Sequence, residues 1–272
     1  MNPATPTQPA ARASKARSPS GRDSATPVAP GTTPCPAVAG WKRCLDLCGV
    51  ALSLPLVLPL LALTALWIRL VAGGPTLLRQ SRIGRHGRPF ALYKFRSMIV
   101  NADLERQASY VRQLVDADQP LIKLDLLGDP RLIAGGCLLR AAGLDELPQL
   151  WNVLRGDMSL VGPRPCLPAE YGLFSPRHRE RFAVLPGLTG IWQVNGKNQA
   201  SFSEMNAMDI DYVRHASLRT DLYLIMRTPA ALWCQLLLAF RTRRAAGRSR
   251  AHRGPARGSA RGGPPHRHRQ LP

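Results

Sequence analysis

The chain has little with which cysteine or histidine could hold a metal. None of its six cysteines forms a C-x-x-C pair and its six histidines are scattered, which excludes a zinc module. Cys44 and Cys48 lie one helical turn apart in an apolar stretch, a spacing that reads as packing between reduced thiols. Large apolar residues are scarce in residues 1–40 and 241–272, which are rich in Pro, Ala, Ser, Gly and Arg. Such segments cannot bury enough surface to offset chain entropy, so both are expected to be disordered. Acidic residues are absent from 241–272, which hold ten arginines. No repeat period is visible, which excludes solenoids and propellers. Charge is missing from Leu47 to Ile68, and no small-residue cleavage site follows, so this run is not read as a signal peptide.

What remains is a chain of 272 residues, enough for one compact domain with appendages. A formal net charge of +20 invites a nucleic acid or an anionic membrane as partner. Half of that excess sits in 241–272, and residues 41–240 keep 23 basic against 16 acidic residues. The arginine segment has no interleaved aromatics, and no nucleic-acid motif is present. A nucleic acid is therefore not expected, and a membrane-anchored basic nucleic-acid-binding protein stands as the alternative. Composition leaves open whether 241–272 meets anionic lipid or only aids solubility.

The uncharged run is long enough for a bilayer core, about 33 Å as a helix. Pro55 and Pro59 near its middle should break or kink it. Lys42 and Arg43 precede it, and Arg69, Arg79, Arg82, Arg85 and Arg88 follow. Positive charge on both flanks keeps both on the cytoplasmic side. A bent helix that enters one leaflet and returns satisfies both facts; a kinked single pass is the alternative. A second apolar stretch, Ala230–Phe240, is too short to span and suits either an interfacial or a core helix.

Beyond Pro75, Thr76–Ile83 and Pro89–Phe95 predict a β-hairpin about a turn at Gly84–Arg88. Helices are predicted over Asn101–Asp116, Phe174–Val184 and Ser203–His215, with two pieces joined at Gly143 over Leu138–Leu154 and a last one from Asp221. Gly128-Asp129-Pro130 is a turn. The fold class is α+β, mostly helical with a small hairpin.

Leu144-Asp-Glu-Leu-Pro-Gln-Leu-Trp-Asn-Val-Leu154 carries the most information. Pro148 is tolerated only in a first turn, so a helix should start near Asp145. Helical spacing puts Leu147, Leu150, Trp151 and Leu154 on one face, expected to be buried, and Asp145, Gln149 and Asn152 on another. A carboxylate at a helix start is either a cap or a reactive group in a phosphate-binding environment. Arg140, Arg155, Arg164 between two prolines, and Lys94 and Arg96 at the end of the hairpin surround it in sequence. Several cations about two carboxylates suit a phosphate substrate with a divalent metal.

These residues resemble the bacterial sugar transferases, the monotopic phosphoglycosyl transferases. The resemblance runs from Trp41 to about Thr228. It rests on Lys42-Arg43-x-x-Asp46, the apolar segment with its Pro, Gln80-x-Arg82-x-Gly84, Tyr93–Met98, Asp129-Pro130-Arg131, Leu144–Leu154, Gly156–Pro165 and Pro186–Gly196 in that order. It implies a cytoplasmic catalytic domain over 73–240 behind a re-entrant membrane helix at 41–72 with its bend at Pro59, held at the inner membrane. It implies transfer of a sugar-1-phosphate from a UDP-sugar to undecaprenyl or another polyprenyl phosphate, early in exopolysaccharide, capsule or O-antigen-type assembly. Asp145 matches the nucleophile that forms a covalent phosphosugar–aspartate. Glu146 matches its partner carboxylate, and Mg²⁺ is expected at the pair. Lys94, Arg96, Arg140 and Arg164 are the candidates for phosphate contact. Gln193, Asn195, Lys197 and Asn198 offer hydrogen-bonding groups for the substrate. Three positions depart from the family pattern: Gly143 where Ser or Thr commonly stands, Leu58 where Ser is frequent before the Pro, and Leu132–Gly136 in place of a stretch with Thr and a basic residue.

Overall fold

A computed structural model of the chain describes residues 39–99, 104–120, 129–195 and 200–252. All lie in one compact unit beginning at Ala37. Helix α1 (Gly40–Ala72) leads into the hairpin strands β1 (Leu77–Ile83) and β2 (Pro89–Phe95). Then come α2 (Leu104–Asp116), α3 (Gly136–Ala141), a single 3-10 turn at Leu144–Glu146, α4 (Gln149–Arg155) and β3 (Ser159–Val161). The short α5 (Pro168–Tyr171), a 3-10 segment at His178–Ala183, β4 (Gly187–Thr189), α6 (Ile191–Asn195), α7 (Phe202–His215) and α8 (Leu218–His252) complete the order. The fold is mostly helical, as expected from the sequence.

The hairpin pairs Leu77 with Phe95 through Ile83 with Pro89. Its tight end needs backbone freedom: Gly87 stands at φ +72°, and His86 is also left-handed at φ 57°. The expected helix over Phe174–Val184 is only the 3-10 segment, and Gly128 lies outside the described residues.

A second, parallel pair joins β3 to β4, aligning Ser159 with Gly187 and Val161 with Thr189. It was not visible in the sequence, because three-residue strands are too short to show alternation. Backbone crowding explains its glycines. A Cβ on Gly187 would lie 2.0 Å from the Gly162 nitrogen, and one on Gly190 would lie 2.4 Å from the Gly162 oxygen. The Gly162 amide donates to the Thr189 carbonyl at 2.9 Å, and the Gly187 amide to the Pro163 carbonyl at 2.8 Å.

Helix α1 runs unbroken through Pro55 and Pro59. Its buried residues are Asp46, Val50, Val57, Thr64 and Ile68. At 100° per residue these fall within an arc of about 40°. Both prolines are exposed on the opposite side, so neither ring meets the body. Val50 and Val57 pack with Leu92, Leu150, Val153 and Met158, while Ile68 packs with Phe95, Ile133 and Leu139. The remaining surface shows Leu52, Leu56, Leu58, Leu63, Leu66, Trp67 and Leu70 to the outside. Cys44 and Cys48 are exposed too, their sulfurs 3.9 Å apart, so they do not fill a core.

Polar contacts hold both ends of α1. At the start, Arg43 donates to the Val153 and Leu154 carbonyls at 2.5 Å each, which caps α4. Lys42 donates to the Val161 carbonyl at 2.7 Å, the Tyr212 hydroxyl at 3.0 Å and the Asp221 carboxylate. Asp46, fully buried, accepts from Ser159 Oγ and the Leu160 amide at 2.8 Å each. At the far end, Arg96 donates to the Ala72 and Gly73 carbonyls.

Helix α8 begins at Leu218, ahead of Asp221, and passes through Pro229 without a break. The apolar stretch Ala230–Phe240 is thus the middle of a longer helix. Leu218–Arg241 is 24 residues, and it and α1 are each long and apolar enough to cross a membrane. Arg219, Asp221, Arg227 and Pro229 made this helix look shorter in the sequence. It also continues to His252, past the expected boundary at Arg241.

Candidate active site

The turn that carries Asp145 and Glu146 differs from the helix start that the sequence suggests. Asp145 and Glu146 occupy the 3-10 turn Leu144–Glu146, and α4 begins only at Gln149. The N-cap position of α4 is Pro148, so Asp145 is not its cap. Gly143, before the turn, is left-handed at φ +71°, and Leu232 of α8 covers it. A side chain there would be strained and would press on Leu232, a physical reason for glycine at that departure from the family pattern.

Helix α4 turns its polar side inward. Asp145 is only 6% exposed, Gln149 is buried, and Asn152 is fully buried. Trp151, expected inside, is 56% exposed, and Leu154 is exposed as well. Leu150 alone of that face is fully buried, with Leu147 half-buried. Asn152 explains the reversal. Its Oδ1 accepts from the Tyr93 amide at 3.0 Å, and its Nδ2 donates to the Ala91 carbonyl at 2.7 Å. The side chain thereby acts as a short extra strand against β2 and satisfies backbone groups that the hairpin leaves open.

β2 and the turn pack together, which brings Lys94 to the carboxylates. Burial pushes the Lys94 ammonium down to about 8. The positive charges of Arg82 and Arg140 push the same way, while Asp145 and Glu146 oppose them. Arg82 is lowered to about 10 by burial and by Arg164, against Glu170, Cys166 and Glu146. Lys94, Arg82, Arg140 and Arg164 thus act within one electrostatic neighbourhood of the two carboxylates.

Arg164 is held from several sides. Its guanidinium lies 5.9 Å from the Trp192 ring centroid. Its carbonyl accepts from Arg181 at 2.9 Å. Arg181 is itself buried, 2.5 Å from Asp209, and donates to Asn206 at 2.9 Å. Arg82 donates to the Pro165 carbonyl at 3.3 Å and to Gln80 at 3.0 Å.

Not every sequence candidate joins this group. Arg96 is committed to the end of α1. Gln193 is half-buried in α6 beside Gly190, and Asn195 is exposed at the end of that helix. Lys197 and Asn198 lie outside the described residues. Pro59 lies on the outer face of α1. Arg82 was missed as a site residue, although it stands in the Gln80-x-Arg82-x-Gly84 motif. The motif itself was the available signal, since β1 does not alternate: Arg82 and Ile83 are buried side by side after exposed Ser81.

For a metal, Asp145 and Glu146 are adjacent carboxylates, and no group of three His, Cys, Asp or Glu side chains forms among the described residues. Mg²⁺ commonly takes one or two carboxylates and completes its shell with waters and substrate phosphates. The pair, with cations close by for phosphate, fits that donor set and not an all-protein cage.

Known proteins share this arrangement of sequence. A 41% identical relative is the UDP-glucose:undecaprenyl-phosphate glucose-1-phosphate transferase of Caulobacter vibrioides, over 74% of this chain and 73% of that protein. The exopolysaccharide production protein ExoY of Sinorhizobium fredii is 36% identical over 70% of this chain and 84% of its own length. The galactosyl transferase CpsE of Streptococcus agalactiae is 37% identical over 69% of this chain, and this match spans only 41% of that longer protein. The bacterial sugar transferase family model matches residues 37–235, from just before α1 to the middle of α8. This chain belongs to the bacterial sugar transferase family.

Proposed function

We propose that the protein transfers a sugar-1-phosphate from a UDP-sugar to undecaprenyl phosphate or a related polyprenyl phosphate, early in exopolysaccharide or capsule assembly. The observation that carries this reading is buried Asp145 with its half-buried neighbour Glu146, in one electrostatic neighbourhood with Lys94, Arg82 and Arg140, and with Arg164 acting on Arg82. The names of the relatives supply the substrate classes.

In the first step an Asp145 oxygen attacks the sugar-proximal phosphorus. The new P–O bond forms as the pyrophosphate bridge breaks, and UMP leaves with its electrons. In the second step an oxygen of the polyprenyl phosphate attacks the same phosphorus and displaces Asp145 as a carboxylate. Two anionic substrates thus use one site in turn. Lys94, Arg82, Arg140 and Arg164 offset the phosphate charge, which a buried setting makes more effective than water would. Glu146, with Asp145, would hold Mg²⁺, which when bound supplies further positive charge at the phosphates.

The same reading keeps the site at one face of the inner membrane, with both ends of α1 on the cytoplasmic side. Its support is that Lys42, Arg43 and Asp46 at one end and Arg96 at the other bind the same body. A helix crossing the bilayer would have to give up one of those sets.

The test is UMP release from a panel of UDP-sugars by membrane-bound protein, with Mg²⁺ and undecaprenyl phosphate. Repeated turnover that requires the lipid phosphate supports transfer, and the active sugar identifies the donor. Turnover without the lipid, beyond the one UMP per protein that the covalent step yields, would make the protein a nucleotide-sugar hydrolase, and no release from any sugar would overturn the reading.

A further inference from the structure

Residues 241–272 lie beyond the family match and hold ten arginines. Their position follows from how α8 sits. On the body side, Asp221 meets Lys42 and Tyr212, and Leu224 packs with Val161 and Tyr212. Thr228 bonds Thr189 at 2.8 Å, Leu232 covers Gly143, and Ala239 is fully buried. These residues form one stripe that follows the body for about 27 Å. A helix leaving the body to cross a bilayer would not keep such a stripe. Crossing would also carry the arginines to the side opposite the body, against the positive-inside tendency.

The outer side of α8 has its own stripe. Leu222, Met226, Trp233, Leu237 and Phe240 are all exposed. They fall within about 60° of arc, roughly 120° from the body stripe. The same helix then runs directly into exposed Arg241 and on through Arg243, Arg244, Arg248 and Arg250, with five more arginines in 253–272. An apolar outer stripe followed by unopposed cations is the composition of a helix lying in an anionic interface.

We propose that the arginine-bearing extension of α8, residues 241–252, binds anionic phospholipid headgroups and holds α8 along the membrane surface. This goes beyond the transferase reading; only the positive-inside argument rests on the cytoplasmic side proposed there for the body. Apolar insertion alone gives reversible binding, and a basic stretch adds the second signal that stable attachment needs. A nucleic acid is the less favoured partner, because no aromatic residue stands among these arginines to stack on bases.

The test compares the full chain with a variant in which Arg241, Arg243, Arg244, Arg248 and Arg250 are all Gln, a change that keeps helix propensity. Detergent-solubilised protein is offered to phosphatidylcholine vesicles, with and without phosphatidylglycerol, and vesicle-bound protein is recovered by flotation. The wild type should prefer the anionic vesicles, and added salt should weaken that preference. The variant should lose at least about ten-fold of it, with equal binding to phosphatidylcholine. Lysine at the same five positions should restore it. Equal preference in wild type and Gln variant would overturn the proposal. So would loss of oligonucleotide binding with the vesicle preference intact, which would identify a nucleic acid as the partner. UMP release in detergent, read in parallel, separates this outcome from failure of the transferase reading.

Discussion

Two clusters of charge lie within the body and behave differently. In the first, Lys42, Asp221 and Tyr212 satisfy one another around the Val161 carbonyl, Asp46 is bonded by Ser159 and Leu160, and Arg181 faces Asp209 and Asn206. In the second, Lys94, Arg82, Arg140 and Arg164 outnumber Asp145 and Glu146; Lys94 is driven down by burial and by Arg82 and Arg140, and Arg82 by burial and by Arg164. Matched donors and acceptors tie elements together: the first cluster joins α1, β3, the 3-10 segment at His178–Ala183, α7 and α8. Surplus positive charge costs stability and is kept where an anion is to arrive. The KR-x-x-D motif therefore belongs to the architecture, and the D-E pair to the chemistry proposed above.

Changing Asp145 to Asn should draw this line most sharply. We expect UMP release to fall on the order of a thousand-fold or more, about 4 kcal/mol in barrier, with little change in melting temperature. Release equal to wild type would remove Asp145 from the nucleophile role. In the matched cluster, Asp221→Ala should do the reverse. It leaves the Lys42 ammonium without its carboxylate partner and should cost roughly 3–5 kcal/mol in stability, read by denaturant or thermal unfolding. If the variant kept wild-type stability and lost only activity, the division between the two clusters would fail.

Lys94→Met should weaken donor binding, raising KM about ten-fold or more, without loss of stability, because it removes a charge that burial disfavours. The pH dependence sharpens the point. Lys94 titrates near 8 in the folded protein and near its ordinary 10.5 when unfolded. Between those values the unfolded chain holds the extra proton, so stability should rise with pH across that window and be penalised in full below it. In Lys94→Met that rise should flatten. Activity should move the other way, kcat/KM falling above about pH 8 as Lys94 loses its proton. An unchanged profile in Lys94→Met would show that another group sets it. The smallest effect is expected at the rim: Trp151→Ala should alter stability in detergent by less than about 1 kcal/mol, because the ring lies outside the core.

Much of this was legible before any coordinates. The hairpin was, since two short strands flank a glycine turn. So were α7, the long apolar helix, and the nearness of Lys94 and Arg140 to Asp145 and Glu146. Arg96 was misread because its neighbours in sequence say nothing of the two carbonyls at the end of α1. Trp151 was misread because periodicity separates two faces of a helix without saying which one meets the body.

The sequence by itself determined the family, the adjacent carboxylates and the surplus of cations around them, because these rest on residue type and order. Only the tertiary structure decided which side of α4 is inside, since that depends on Asn152 meeting the backbone of β2, sixty residues away in the chain. It alone closed the parallel pair of β3 and β4, where three glycines let two backbones touch. It alone bound both ends of α1 to one body, because the carbonyls that Arg43 and Arg96 require are assembled only when distant segments fold together.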